Sequence, residues 1–388
     1  MAGGGGGGGN GWIWVLIGGA ALCGAGYGLE HAHVGPGWIA PGMLGLGGLA
    51  VVFGSCEALI LAVHGLGARL GWNHFVAGSV AGLASNLPEI VMLGFVVAAA
   101  PRVAFVVVAL TLHVNALAFG VYSALLPRDA TGQARLPEPL VKNATDQYAI
   151  GGVVFLAIGL LMVVMQLFDT GDHSGEGFGT WDLYTVGIIL LVVQGVAIVE
   201  LVRRFSKGAG DEEGAKPDEP PPSWLKIAGL ALIGGGASLL GGHAVGDFAD
   251  ALVGALTGAG YSEMVGAIIL SVFAGAGAFV MLITAHVKGM HDIALAGVSG
   301  AITNVPFLVM PCVLIMLAAL AQLGVIPTLP HGSVLAIDLE TTSVVLLAFP
   351  PLLILWKSVQ DDGNVNWLET AGMVAVFALT IYLLAQHG

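Results

Sequence analysis

About eleven apolar stretches, each long enough to cross a bilayer, divide this chain and leave little of it for anything else. They fall roughly at residues 11–29, 41–69, 74–100, 103–126, 146–168, 181–202, 224–256, 261–285, 292–322, 341–357 and 366–386. A helix needs about 20 apolar residues to cross the hydrocarbon layer, and inside that layer backbone polar groups must be satisfied within the segment. The pattern therefore predicts an all-α polytopic membrane protein. Composition agrees, with 56% hydrophobic and 10% charged residues. The 61 glycines suit helices that approach closely in lipid, where small residues drive packing. A formal charge of −13 argues against a nucleic-acid partner. Cys23, Cys56 and Cys312 lie in apolar segments, without metal-ligand spacing or a disulfide framework.

Within this apolar background, residues 70–90 (LGWNHFVAGSVAGLASNLPEI) carry the strongest chemical signal. Glu89 follows Pro88 in the middle of a span. A charge at the bilayer centre costs roughly 2.5–3.5 kcal/mol even on the most lenient scale, so such a residue faces the protein interior or a water-filled cavity. Pro88 removes a backbone N–H and frees the carbonyl one turn earlier. Irregular backbone at membrane depth is tolerated where it lines a site. A carboxylate beside a kink reads as a cation site.

Lysine and arginine placement orients the spans. If they alternate, Arg69, Arg128, Arg135, Lys142, Arg203, Arg204, Lys207, Lys216, Lys226, Lys288 and Lys357 fall on one side, and only Arg102 on the other. The positive-inside rule then puts the N-terminus in the cytoplasm and the C-terminus outside a plasma (inner) membrane. Residues 1–10 are glycine-rich and read as disordered. They lack a basic n-region, so the first span, within residues 11–40, reads as retained rather than cleaved. The charged, proline-rich segment 203–223 reads as a cytoplasmic linker between repeats at 41–202 and 224–388. The acidic loop at 169–182 falls outside. The two repeats are related by a constant offset of 189, which carries Leu70-Gly71-Trp72-Asn73 onto Ala259-Gly260-Tyr261-Ser262 and Asn115 onto Asn304. The first of these turns is cytoplasmic and the second external. That is the mark of an inverted-topology repeat, whose transporters bind substrate near the midplane.

The stretch CEALILAVHGLGARLGWNHFVAGSVAGLASNLPEIV resembles the first alpha repeat of the cation/calcium exchanger superfamily, which includes sodium/calcium and calcium/proton exchangers. It shows that family's glycine turn, a second glycine seven residues on, and a T-S-x-P-E-like motif read here as Ser85-Asn86-Leu87-Pro88-Glu89. Leu110 to Asn115 corresponds to the family's G-S-N-I-x-N motif. In the second half, GMHDIALAGVSGAITNVPFLV resembles the partner helix, with Asp292 and Asn304 in register. The resemblance covers roughly residues 41–386. It implies a fold of two inverted repeats of five transmembrane helices behind one extra N-terminal helix.

The sequence departs from that family where Glu89 should have a partner, because the equivalent position is Ala278. A dehydrated divalent ion wants several oxygens and preferably two negative charges. One carboxylate with amides and hydroxyls also suits a monovalent ion or a proton. On this reading Glu89 bears the charge of the site. Ser85, Asn86, Asn115 and Asn304 offer neutral oxygens, and His113 is a candidate proton carrier. Thr111 and Thr303 are weaker candidates, since helix threonines commonly bond back to their own backbone. Asp247, Asp250 or Glu57 could supply the charge lost at Ala278, or could belong to interior hydrogen bonds or an aqueous vestibule. Asp292 reads as an acid favoured at a helix start. His243 and His286 read as isolated structural residues.

No H-E-x-x-H, G-x-S-x-G or P-loop pattern points to an enzyme. The sequence implies a secondary antiporter without a cofactor, exchanging inorganic cations across the lipid bilayer. Calcium is the family's default cargo, sodium or potassium are competitors, and sodium or protons serve as counter-ions. The rival is a non-transporting protein with the same fold and a degenerate site, acting as a sensor or binding a partner. The sequence leaves the oligomeric state open.

Overall fold

A computed structural model describes residues 11–33, 37–72, 74–168, 177–205, 222–287, 291–329, 332–361 and 363–387. The glycine-rich start, most of the 203–223 linker and most of the acidic 169–182 loop lie outside the described residues. The first half contains helices α1 (Gly11–Ala32), α2 (Ile39–Leu70), α3 (His74–Ala84), α4 (Leu87–Ala99) and α5 (Pro101–Ala124). Strand β1 (Ala134–Arg135), α6 (Glu138–Leu167), strand β2 (Gly177–Gly179) and α7 (Thr180–Phe205) complete it. The second half runs through α8 (Trp224–Gly258), α9 (Glu263–Ala274), α10 (Ala276–Val287) and α11 (His291–Asn304). After a π-helical turn at Val305–Val309 come α12 (Met310–Gln322), strand β3 (Ser333–Ala336), α13 (Leu339–Leu346), α14 (Phe349–Asp361), strand β4 (Asn364–Val365) and α15 (Trp367–His387). The strands form two antiparallel pairs, β1 with β4 and β2 with β3, small departures from an otherwise helical fold.

Among the described residues, ten helices are long and apolar enough to cross a membrane. The remaining expected span, 261–285, is split at Gly275 into two 12-residue helices, α9 and α10. Its counterpart in the first half is also split, into α3 and α4 at Ser85-Asn86. The offset of 189 carries Asn86 onto Gly275, so both repeats interrupt the same helix at the same place. It also carries Gly71 onto Gly260, which hold left-handed φ values of 68° and 85° that glycine adopts without steric cost. Each closes the preceding long helix in the same way: Trp72 N–H donates to the Gly67 carbonyl and Tyr261 N–H to the Leu256 carbonyl, both at 2.9 Å. The chain is thus built as two inverted-topology repeats of five transmembrane helices, preceded by the extra helix α1.

Two compact units comprise residues 1–95 with 213–251, and 96–212 with 252–388. They cut across the sequence repeats, because most of α8 belongs with α1 to α4. In the first unit, glycines let backbones touch. A Cβ on Gly48 would meet the Gly241 carbonyl at 2.9 Å, and one on Gly241 would meet the Gly48 carbonyl at the same distance. Ser55 Oγ reinforces this crossing of α2 and α8 by donating to the Gly234 carbonyl at 2.6 Å.

In the second unit α5 is buried almost throughout, as expected of a helix apolar on all sides. An arginine holds each of its ends. At the start, Arg102 pairs with Glu263 on α9 and with Asp338 and Glu340 at the start of α13. Asp338 also caps α13, accepting from the Thr341 N–H at 2.8 Å. At the other end, Arg128 lies 3.9 Å from the Trp367 ring centroid and donates to the Gly132 and Val365 carbonyls.

Candidate functional site

The chemistry of the first unit gathers at the break between α3 and α4. Pro88 has no N–H to offer the Ala84 carbonyl, so the helix cannot run through this point. Side chains and tightened backbone bonds satisfy the loose end. Ser85 Oγ donates to the Gly82 carbonyl at 2.7 Å, and Asn86 Nδ2 donates to the same carbonyl at 2.8 Å. The α2 helix touches the break through Cys56, whose Sγ donates to the Ser85 carbonyl at 3.3 Å. Glu57, the next residue on α2, is half-buried. Glu89 sits in the first turn of α4, where the helix N-terminus favours an anion. Its Oε1 is buried and has no hydrogen-bond partner. Ser85 and Asn86 thus spend their protons on α3 and keep oxygens with acceptor capacity beside a carboxylate.

Asp247 takes part in a hydrogen-bonded cluster, one of the two roles its sequence position allowed. It lies on α8, and its Oδ2 is 2.9 Å from His243 Nδ1 and 2.9 Å from the Tyr27 hydroxyl that donates to it. It is engaged near Phe95, whose ring packs on that of His243. His243 is accordingly not isolated, a correction to the sequence reading. Asp250 is exposed.

In the second unit, Thr111, His113 and Asn115 are all buried within α5. Thr111 Oγ1 bonds back to the Val107 carbonyl at 2.8 Å, and Thr303 Oγ1 to the Gly300 carbonyl at 3.1 Å. Both hydroxyl protons are therefore used locally. His113 Nδ1 lies 3.0 Å from the Ala109 carbonyl, which assigns the proton to Nδ1 and leaves Nε2 as a bare acceptor. Nε2 is buried and partnerless, and so is Asn115 Oδ1. That amide oxygen lies against the second helix break: a Cβ on Gly275 would be 3.3 Å from it. Asn304 is buried at the end of α11, immediately before the π-helical turn that contains Pro306. Ala278 occupies the position equivalent to Glu89 and brings no charge. The Asp292 side chain lies outside the described residues. His286 likewise has neighbours, with its ring 5.3 Å from that of His291 and its Nδ1 3.3 Å from the Tyr122 hydroxyl.

Sequence reasoning missed three features: the Gly275 break, its closeness to Asn115, and the Tyr27–His243–Asp247 cluster. The offset of 189 contained the first, since it maps Asn86 onto Gly275. Spacing of four residues between His243 and Asp247 on a helix hinted at the third. Among the described residues there is no group of three or more His, Cys, Asp or Glu placed to hold a metal ion. A cation here would depend on one carboxylate and neutral oxygens.

An interrupted helix at the same point of two inverted repeats, one break bearing an acid and the other facing a buried amide, is an arrangement found in secondary transporters. No protein-family model matches the chain. A Ca2+/H+ antiporter of Synechocystis sp. is 25% identical over 353 residues, which cover 87% of this chain and 82% of that one. Among solved structures, the H+/Ca2+ exchanger CAX superposes with a TM-score of 0.66 at 12% identity, covering 97% of this chain and 89% of that one. YfkE superposes with a TM-score of 0.57 at 13% identity over 96% of this chain and 99% of its own. For the sodium-calcium exchanger NCX_Mj the values are 0.53 and 16%, over 88% and 98%. The chain thus has the fold of cation/calcium exchangers and is similar in sequence to a Ca2+/H+ antiporter.

Proposed function

We propose that the protein is a secondary active antiporter that works by alternating access and exchanges calcium for protons at a site centred on Glu89. The observation that carries this reading is the buried, partnerless Oε1 of Glu89 at the N-terminus of a broken helix. Leaving a buried acceptor unpaired costs about 1–3 kcal/mol, more for a charged one. A cation or a proton would relieve that cost, and the two would compete for the same carboxylate. Ser85 and Asn86 would add neutral oxygens to the single carboxylate, and the repeat-related Asn115 and Asn304 are proposed for the same role from the sequence. His113 Nε2, also partnerless, would accept a proton when the cation is absent. Only the loaded site would let the protein change its access, because a bare buried charge is penalised in the closed state. The Synechocystis relative, a Ca2+/H+ antiporter, favours calcium and protons over sodium or potassium. The N-terminus would be cytoplasmic, in keeping with the lysine and arginine distribution.

The test is calcium uptake into proteoliposomes under an imposed pH gradient, with wild type beside Glu89→Gln. Uptake should vanish in the variant while the protein stays folded. Robust uptake by the glutamine variant would remove Glu89 from the mechanism.

A further inference from the structure

Three side chains of the second unit meet where one helix begins and two end. Tyr122 lies two residues before the end of α5, His286 lies one residue before the end of α10, and His291 is the first residue of α11. Tyr122 Oη is 3.0 Å from His291 Nδ1 and 3.3 Å from His286 Nδ1. The two imidazole rings have centroids 5.3 Å apart and are tilted by 57°, and the His286 ring stands edge-on to the phenol ring at 86°. Tyr122 is buried, whereas His291 is half-buried and His286 exposed, so the cluster is open on its histidine side.

One oxygen facing two nitrogens is more than a single hydrogen bond needs. If the phenol gives its proton to one Nδ1, the other Nδ1 must carry its own proton to bond with the same oxygen. The spacing is also that of ligands around one ion. Zinc bonds to imidazole nitrogen at about 2.0–2.1 Å, and tetrahedral geometry then sets neighbouring ligand atoms roughly 3.3–3.4 Å apart. We infer that Tyr122, His286 and His291 form a binding site for a divalent transition-metal ion of the zinc class. Imidazole donors suit zinc, copper or nickel, whereas calcium takes six to eight oxygen ligands. The site therefore selects against the ion proposed as cargo, and it does not depend on the exchange reading.

On binding, each neutral imidazole keeps its single proton on Nε2 and gives the Nδ1 lone pair to the ion. The phenol oxygen joins as phenolate, and its proton leaves to water. Water completes the tetrahedron from the open histidine side. An ion held there ties the end of α5 to both α10 and α11. Helix α10 is the second half of the span broken at Gly275, and α11 carries Asn304 at its other end. The metal thus joins the elements that surround the break in the second repeat. The two histidines are five residues apart and lie on different helices, so no single-helix metal spacing marks them in the sequence.

The test is zinc binding to the purified full chain, without a polyhistidine tag and in excess calcium. Wild type should bind one zinc ion per chain and unfold at a higher temperature with zinc than without it. His286→Gln and His291→Gln should each weaken binding at least about tenfold, since even the partners of metal ligands are worth about 10–100-fold. Tyr122→Phe should weaken it as well, and Glu89→Gln should bind as wild type does. A second measurement needs no variant: zinc should protect His286 and His291, among the 11 histidines, from modification by diethyl pyrocarbonate in the wild type. Failure of the wild type to bind zinc would overturn the inference. So would undiminished binding in both histidine variants, or protection of other histidines in place of these two. Binding lost in Glu89→Gln and kept in the histidine variants would put the ion at Glu89 and overturn it too.

Discussion

Asn115→Leu separates a coordinating amide from a packing amide, because the two roles predict opposite changes in stability. The side chain is 2% exposed, matches leucine in the number and branching of its non-hydrogen atoms, and its Oδ1 has no hydrogen-bond partner. An unpaired buried carbonyl costs about 1–3 kcal/mol, whereas an apolar group of the same shape carries no such penalty. In calcium-free buffer the leucine variant should therefore be as stable as wild type, or more stable by about 1 kcal/mol. Calcium should reverse the order. A ligand at 100 times its dissociation constant stabilises the folded state by about 2.7 kcal/mol, and a tenfold loss of affinity removes about half of that. Thermal unfolding in detergent, with and without calcium, reads both effects in one experiment. The calcium-dependent shift should fall to about half or less while the calcium-free midpoint holds or rises. A variant destabilised without calcium, yet stabilised by calcium as much as wild type, would show that Asn115 is a packing residue.

Two further outcomes follow from backbone contact and from charge. Gly242→Leu should slow calcium flux and destabilise the protein by about 1–3 kcal/mol, because its Cβ would press within 3.1 Å of the Met92 backbone. Gly236→Leu, with no atom within 4 Å of its Cβ, is the control and should leave flux unchanged in the same liposome assay. Arg102→Gln should lower the unfolding midpoint at neutral pH, since it leaves Glu263, Asp338 and Glu340 without their shared cation. Burial opposes ionisation of Asp338, but the Thr341 amide, Glu340 and the Arg102 guanidinium outweigh it and hold the carboxyl below its ordinary 3.8. A lowered folded-state value gives stability that is present above pH 3.8 and lost as pH falls through the folded-state value. The gap between Arg102→Gln and wild type should therefore close on acidification below pH 4 in a midpoint-against-pH series.

What the sequence made legible was whatever depends on hydropathy or on covalent constraint. Membrane spans follow from apolar length, and the Ser85-Asn86 break is marked by Pro88, which removes a backbone donor and disfavours a helical residue before it. The Gly275 break has no such marker. Ala274-Gly275-Ala276-Gly277-Ala278 is compatible with an uninterrupted helix, and only its place in the repeat reveals it. The Tyr27 partnership was hidden for another reason. Tyr27 and His243 are 216 residues apart, and α1 stands outside the repeat, so no internal symmetry points from one to the other. Thr111 and Thr303 show the reverse case, because back-bonding to the preceding turn is a local property and is what their helical setting implied.

The asymmetry between the repeats has a consequence for coupling. Glu89 is charged and Ala278 is not, so a calcium ion at the proposed site leaves a net charge of one, while a single proton leaves none. Exchange of one calcium for one proton at Glu89 alone would move net charge across the membrane in every cycle. An electroneutral exchange would need a second proton acceptor, and a neutral imidazole offers one. His113 Nε2, buried and without a hydrogen-bond partner on α5, is the acceptor that the proposed site offers. On the proposed reading, the charge absent at Ala278 would be balanced by a proton on His113 rather than by a second acid.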